Sequence, residues 1–381
     1  MLSNFVESLP YPSEMVALVR YYLFRQSTMV DISTWSKTKQ RCYYFLKLTS
    51  GSFADIIMDL DPKLRDLVCI FYLCLRGMDT IEDDMTLPIN KKVPMLRSFY
   101  KKIGQRDGPD EKDRQLLVEF DVVIEEFLLL PNECQEIIIN VTKQMGNGMA
   151  DFVSISTRDK YSVITLKDFD KYCYYVAGLV GIGISDLFNS VGATIPDTTK
   201  NFDTIISMGI FLQKLNILRD FVEDLNENRK FWPKEIWGQY VSEIEDLKLI
   251  ENKQKALNCL SDMVLNTLLH APDCLNYLIQ LDDPGIFSFA ATPLVMGYST
   301  LTFTFKNYDS YSKVLKIRKG EGAKLFFRCT SMSEVAKLFF EYTQIIISKN
   351  NDSQDPNFAK INDICEQIIQ QCKENIINLD N

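Results

Sequence analysis

Apolar side chains recur at spacings of three and four along most of the chain. Leu64, Leu67, Val68, Phe71, Leu75 and Met78 form one such stripe, and Phe211, Leu212, Leu215 and Leu218 form another. That spacing is the signature of one face of an α-helix. No stretch alternates apolar and polar residues around a hairpin dipeptide, so a sheet has no support. Turn-forming residues cluster where connections belong, at Gly104 to Pro109, Gly192 to Pro196 and Asp282 to Gly285. None of these is long enough to mark a domain linker, and no internal repeat is present. The pattern predicts an all-α protein, with a single large helical domain over 1–347 and a polar loop plus amphipathic helix over 348–381. Within that last part, Ser348 to Pro356 reads as a surface loop. Ile361, Ile364, Cys365, Ile368, Ile369, Cys372 and Ile376 then return at helical spacing, to pack on the body or on a partner.

One segment is apolar enough to raise the question of a membrane. Pro284 to Phe305 carries no charge and is long enough to span a bilayer, yet it contains two prolines, two glycines and six Ser or Thr side chains. A buried core helix with a kink is the expectation. Met1 to Glu14 lacks the basic-then-apolar layout of a signal peptide.

Composition narrows the chemistry. The 381 residues include 42 basic and 51 acidic ones, a net charge of −9. No basic footprint for a nucleic-acid backbone exists, so a nucleic-acid partner is not expected. His270 is the single histidine, which excludes a multi-histidine zinc site. The ten cysteines include no C-x-x-C pair and sit mostly among apolar neighbours, as in Val68-Cys69-Ile70. They read as buried free thiols in a reducing compartment.

Two acidic clusters carry the strongest chemical signal. Asp79-Thr-Ile-Glu82-Asp83, followed by Asp84, and Asp220-Phe-Val-Glu223-Asp224 both spell D-x-x-E-D. On a helix, Asp79, Glu82 and Asp83 share one face while Asp84 points away, and Asp220, Glu223 and Asp224 repeat that geometry. Three carboxylates on one face repel one another, and each run follows an apolar helix that limits solvation. A divalent cation is the natural remedy. Oxygen-only ligands suit Mg²⁺, which completes its shell with water and substrate phosphates. An acidic protein can thereby bind an anionic diphosphate. Arg76 precedes Asp79 by three residues and Arg219 immediately precedes Asp220, placed either for an ion pair within the helix or for a diphosphate oxygen. Tyr72, Gln213 and Asn216 fall one or two turns upstream on the same faces.

The run Tyr172-Cys-Tyr-Tyr-Val-Ala-Gly178-Leu-Val-Gly181-Ile-Gly183 is the third signal. Each glycine inside a helix costs about 1 kcal/mol against alanine. Two reasons could outweigh that cost: close helix packing, or a loosened helix that turns carbonyls and rings toward a cationic intermediate. Neither a phosphate loop nor G-x-G-x-x-G occurs, which removes the common nucleotide folds.

With these residues placed, the chain resembles the squalene synthases, within the all-α trans-isoprenyl diphosphate synthase group. The likeness runs from about Leu46 to Lys319. It is carried by Tyr72 to Thr86, Met145-Gly-Asn-Gly-Met-Ala-Asp151, Tyr172 to Gly183, Phe211 to Asp220, Phe231-Trp-Pro-Lys-Glu-Ile-Trp237 and Lys316-Ile-Arg-Lys-Gly320. The resemblance implies an isoprenoid-synthase domain with a central apolar cavity. It implies condensation of two farnesyl diphosphates to presqualene diphosphate, followed by NADPH-dependent reduction to squalene. Asp79, Asp83, Asp220 and Asp224, with Glu82 and Glu223 beside them, would hold Mg²⁺ against the diphosphates, and Tyr172 would handle the proton lost in the first half-reaction. Ser50, Ser52, Phe53, Tyr72, Gln213 and Asn216 would line the substrate site, and Arg76, Lys112, Arg219 and Arg229 would contact diphosphate. Phe287 and Phe289 would flank the second-stage pocket, and Lys316 with Arg318 would help hold NADPH.

The chain departs from the family pattern at Gly51, where arginine is usual, and at Leu215, Tyr174 and Leu294. These departures motivate an alternative, a paralogue that binds prenyl diphosphate without turnover or stops before the reduction. The resemblance implies a monomer at the cytosolic face of the endoplasmic reticulum membrane. No transmembrane anchor is seen, so the alternatives are peripheral membrane association or a soluble cytosolic protein.

Overall fold

A computed structural model describes residues 7–27, 30–51, 53–103, 115–155, 161–193 and 201–377. Among them the regular structure is helical and no strand occurs, as the periodicity requires. The chain divides into two compact units, one formed by residues 32–210 and the other by 1–31 with 211–381.

The first unit is organised around the Pro62–Asp83 helix. Asp61 caps its start by accepting from the Lys63 N–H at 3.0 Å, and Pro62 fits the first turn, where no acceptor awaits its missing N–H. Fourteen of its residues are buried, so it is apolar nearly all round, the mark of a central rather than a peripheral helix. The Lys37–Ser50, Ile89–Ile103, Phe120–Leu128 and Asn132–Ile155 helices pack around it. The Leu179–Ser190 helix approaches closely at Gly183. A Cβ there would meet Phe71 and Val141 at 2.8 Å, so close packing accounts for that glycine. Upstream, Tyr174–Gly178 forms a π-helical turn between the Leu166–Cys173 and Leu179–Ser190 helices. The loosened helix is therefore also present, directly after Tyr172.

The second unit has the Pro284–Thr304 helix as its core, with fifteen buried residues. Asp283 caps it by accepting from the Gly285 and Ile286 N–H groups. It is long and apolar enough to cross a membrane, and 78% of its most apolar window is buried inside the fold. Tyr298 stacks on Phe339 of the Met332–Lys349 helix at 4.3 Å and shares a 2.8 Å hydrogen bond with Thr343. The Phe358–Ile377 helix packs along Met332–Lys349, with Ile361, Cys365, Ile368 and Cys372 buried. The Pro12–Ser27 helix packs against Lys319–Arg328.

Ser348 to Pro356 is exposed over most of its length, yet it turns some polar side chains inward. Asn350, Asp355 and Asn357 are buried. Asp355 accepts from Ser261 at 2.6 Å and from the Asn357 N–H at 2.7 Å, and it pairs with Lys306, while Asn357 donates to Asp262. Polar composition there serves a buried hydrogen-bond network as well as solvent. All ten cysteines are buried and free. Burial pushes several of these thiols well above their ordinary value, which leaves them unreactive.

Candidate active site

The first acidic motif closes the Pro62–Asp83 helix. Asp79, Glu82 and Asp83 are half-buried on its last turns, and Asp84 turns away. Asp84 instead accepts from the Thr86 N–H at 2.8 Å and hydroxyl at 2.6 Å, bonds that end the helix and hold its carboxyl below the usual range. Burial and the neighbouring Asp83 push Asp79 up to about 7, although Arg76 opposes the rise. Burial, Asp83 and Asp79 push Glu82 up to about 8, against the opposing charge of Lys92. Neither Asp79 nor Glu82 makes an ion pair among the described residues. Arg76 and Lys92 offset their repulsion only in part.

Tyr172 reaches this face from the end of the Leu166–Cys173 helix. Its hydroxyl donates to Glu82 Oε1 at 3.4 Å and its ring meets Phe152 edge-on at 5.2 Å. Burial and the three nearby carboxylates hold the phenol well above its ordinary value, so Tyr172 is protonated. Lys92, which the sequence pattern did not single out, is buried and donates to the Glu82 carbonyl at 2.7 Å.

Arg76 does not form the ion pair within the helix that its spacing allows. Its Nε is buried without a hydrogen-bond partner. Such an orphaned donor beside a carboxylate face suits an anionic ligand. Tyr72 lies one turn back, half-buried, and its ring is 6.3 Å from that of Phe53. Ser50 ends the Lys37–Ser50 helix with its hydroxyl on the Leu46 carbonyl. Gly51 follows at φ +57 and ψ −120, a conformation that glycine tolerates and arginine does not, although its missing Cβ faces open space. Ser52 and Lys112 lie outside the described residues.

The second motif is built differently. The Phe202–Arg219 helix stops before Asp220, which caps the short Phe221–Asn226 helix, so the motif straddles a helix break. The i to i+4 relation survives, since the Asp224 N–H donates to the Asp220 carbonyl at 2.9 Å. Asp224 is buried, Asp220 half-buried and Glu223 exposed, which separates Glu223 from the other two. Here the arginines already sit on the acids. Arg219 grips both Asp220 oxygens, its Nε donating at 2.7 Å. Arg229 donates to Asp224 Oδ1 at 2.8 and 3.1 Å and pairs with Glu227 at 2.6 Å. Gln213 and Asn216 are half-buried on the Phe202–Arg219 helix. Between them Lys214, 1% exposed, donates to Nε2 of His270 at 2.9 Å.

Phe287 and Phe289 are buried near the start of the Pro284–Thr304 helix. Lys316 is exposed on the irregular stretch 314–318, and Arg318 is held by Glu14 and Tyr11. No three His, Cys, Asp or Glu side chains among the described residues converge as a ready-made metal site, so a cation at either motif completes its shell with water and ligand oxygens.

A model of the squalene/phytoene synthase family matches residues 46–315. The chain belongs to that family. Squalene synthase of Schizosaccharomyces pombe is 50% identical over 338 residues, 87% of this chain and 73% of that protein. Squalene synthase ERG9 of Candida albicans is 42% identical over 98% of this chain and 85% of its own length. Squalene synthase of Mus musculus is 39% identical over 97% and 88%. Among solved structures, TcSQS in complex with the ligand BPH1237 superimposes with a TM-score of 0.83 at 35% identity, covering 89% of this chain and all of that one. A dehydrosqualene synthase shares the fold, with a TM-score of 0.58 at 18% identity over 78% of this chain and 97% of its own. Membership of the squalene/phytoene synthase family agrees with both D-x-x-E-D motifs falling inside the matched residues.

Proposed function

We propose that the chain is a squalene synthase. It joins two farnesyl diphosphates head to head into presqualene diphosphate and reduces that product to squalene with NADPH. The observation that carries the reading is the face on which Asp79, Glu82 and Asp83 meet the Tyr172 hydroxyl while Arg76 keeps an orphaned donor beside them. The identity of 39–50% to squalene synthases supports it over nearly the whole chain.

The donor set fits Mg²⁺. The ligands are carboxylate oxygens, and their mutual repulsion at Asp79 and Glu82 is what a cation relieves. Asp79, Glu82 and Asp83 would hold it at the first motif and Asp220 with Asp224 at the second, where Glu223 stands toward solvent. When bound, Mg²⁺ neutralises the diphosphate and makes it a better leaving group. Arg76 supplies a further N–H to diphosphate oxygen. Arg219 and Arg229 would offer further N–H groups to diphosphate at the second motif.

Tyr172 is the proton-handling group. Its oxygen accepts the proton lost on forming the cyclopropane ring and gives up its own to the Glu82 carboxylate, to which its hydroxyl already donates and which is ionised when it holds the metal. Buried Phe287 and Phe289 suit the apolar pocket in which a carbocation escapes water. NADPH supplies the hydride of the second stage, and Lys316 with Arg318 would meet its phosphates. Buried free thiols fit the cytosolic face of the endoplasmic reticulum membrane as the working location.

The test is product analysis by mass spectrometry. With farnesyl diphosphate and Mg²⁺, squalene is expected when NADPH is present and presqualene diphosphate when it is withheld. Folded protein that yields no C30 product under either condition overturns the proposal.

A further inference from the structure

The Pro12–Ser27 helix buries a carboxylate among residues far away in sequence. Glu14 is 3% exposed and faces Arg318. Arg318 Nε donates to Glu14 Oε1 at 3.2 Å and Oε2 at 3.0 Å, and Nη2 donates to Oε1 at 2.5 Å. The guanidinium carbon lies 3.8 Å over the Tyr11 ring. One edge of the planar fork is thus occupied and one face is stacked, while Nη1 makes no hydrogen bond among the described residues. An arginine held this way presents a single open edge.

Two features lie beside that edge. Lys316 is exposed, has no ion-pair partner among the described residues, and stands two positions before Arg318 on the irregular stretch that leads into the Lys319–Arg328 helix. The Lys319–Arg328 helix begins immediately afterwards, and the first N–H groups of a helix have no intrahelical acceptor. Gly320 measures how tightly the amino-terminal segment is pressed on. A Cβ at 320 would lie 2.4 Å from Ser8 Oγ and 2.7 Å from Glu14 Cβ.

We propose that Glu14 is the positioning residue for Arg318. Through Glu14 and Tyr11 the amino-terminal helix fixes the guanidinium so that its Nη1 edge joins Lys316 and the helix start in a cradle for a phosphate of the reductant. The inference rests on the reading that Lys316 and Arg318 meet NADPH, and it adds the segment that holds the cradle in shape. The several rotatable bonds of a free arginine make it a poor preorganised ligand, and the buried carboxylate removes that freedom before the cofactor arrives.

The experiment compares Glu14→Gln, Glu14→Asp and Arg318→Ala in the full chain, reading squalene formation against NADPH concentration and NADPH binding by fluorescence. Glu14→Gln is expected to raise KM for NADPH about tenfold, as loss of a supporting partner typically does, with kcat at saturating NADPH within about twofold. Glu14→Asp should recover part of the loss. If Arg318→Ala leaves KM unchanged, the cradle itself is wrong. If Arg318→Ala raises KM and Glu14→Gln does not, the cradle stands and the positioning role falls. A drop in KM for Glu14→Gln also overturns it, because Glu14 would then be competing with the phosphate. Should Glu14→Gln fail to fold, Gly320→Ala spreads the same contact with both charged residues intact. It is expected to raise KM for NADPH, and an unchanged KM in that variant overturns the proposal.

Discussion

The hydroxyl of Tyr172 donates to Oε1 of Glu82 across 90 residues of sequence, joining a neutral phenol to the most proton-hungry carboxylate of the first acidic motif. The phenol cannot ionise at neutral pH on its own, since burial and three carboxylates oppose it. In the proposed mechanism it relays a proton, taking one at oxygen as it passes its own to the Glu82 carboxylate.

Tyr172→Phe keeps the ring against Phe152 and removes only that relay. Formation of presqualene diphosphate should fall by at least about a hundredfold, the lower range for a lost acid–base group, with melting nearly unchanged. Single-turnover assays without NADPH measure it. Activity within about tenfold of the native chain would show that the proton leaves by another route.

The arginines of the two motifs should behave oppositely. Arg76→Ala breaks no hydrogen bond at the buried Nε, so it should weaken diphosphate binding with little change in melting temperature. Arg229→Ala removes the guanidinium that donates to buried Asp224 and pairs with Glu227, and it should cost about 1–3 kcal/mol of stability. Thermal melts with and without inorganic diphosphate separate the two effects. Equal melting temperatures for both variants would contradict the assignment.

Magnesium should stabilise the fold more at high pH than at low pH. Asp79 and Glu82 have raised values in the folded chain, about 7 and 8, so without metal they contribute stability at low pH that is lost as pH rises toward those values. Mg²⁺ needs the ionised forms and recovers that loss. The Mg²⁺-dependent rise in melting temperature is expected to grow between about pH 6 and pH 8.5, and Asp79→Asn should flatten it. A rise independent of pH would place the metal elsewhere.

His270 should set part of the acid limit of stability. Burial and then Lys214 push its imidazole down to about 3, and Lys214 requires the neutral ring as acceptor. The unfolded ring protonates near pH 6.5, so this contribution is complete above that value and is lost as pH falls from there toward 3, at about 1.4 kcal/mol per unit. His270→Gln should shallow the decline of denaturant stability between about pH 6 and pH 4.5. An identical slope in both proteins would mean that other groups govern it.

Periodicity made the helical class legible because the apolar stripes of 64–78 and 211–218 follow core faces. The first acidic trio was equally legible, since three carboxylates on one continuous helix must share its face. The trio at Asp220, Glu223 and Asp224 has the same spacing, yet the helix breaks at Asp220 and Glu223 stands in solvent. Local spacing could not reveal the break. Polarity marked the loop at Ser348 to Pro356 but not the inward turn of Asn350 and Asp355, because a buried network uses the same residue types as a solvated loop. The Glu14–Arg318 contact spans 304 positions, and no local pattern announces a pairing at that separation.

The Asp355 network makes the final stretch of the chain a keystone rather than an appendage. A version truncated after Lys349 would strand the Lys306 ammonium and the Ser261 hydroxyl indoors and strip the apolar cover from Met332–Lys349. Anyone seeking a shorter, more tractable form of this protein should therefore leave everything through the Phe358–Ile377 helix in place.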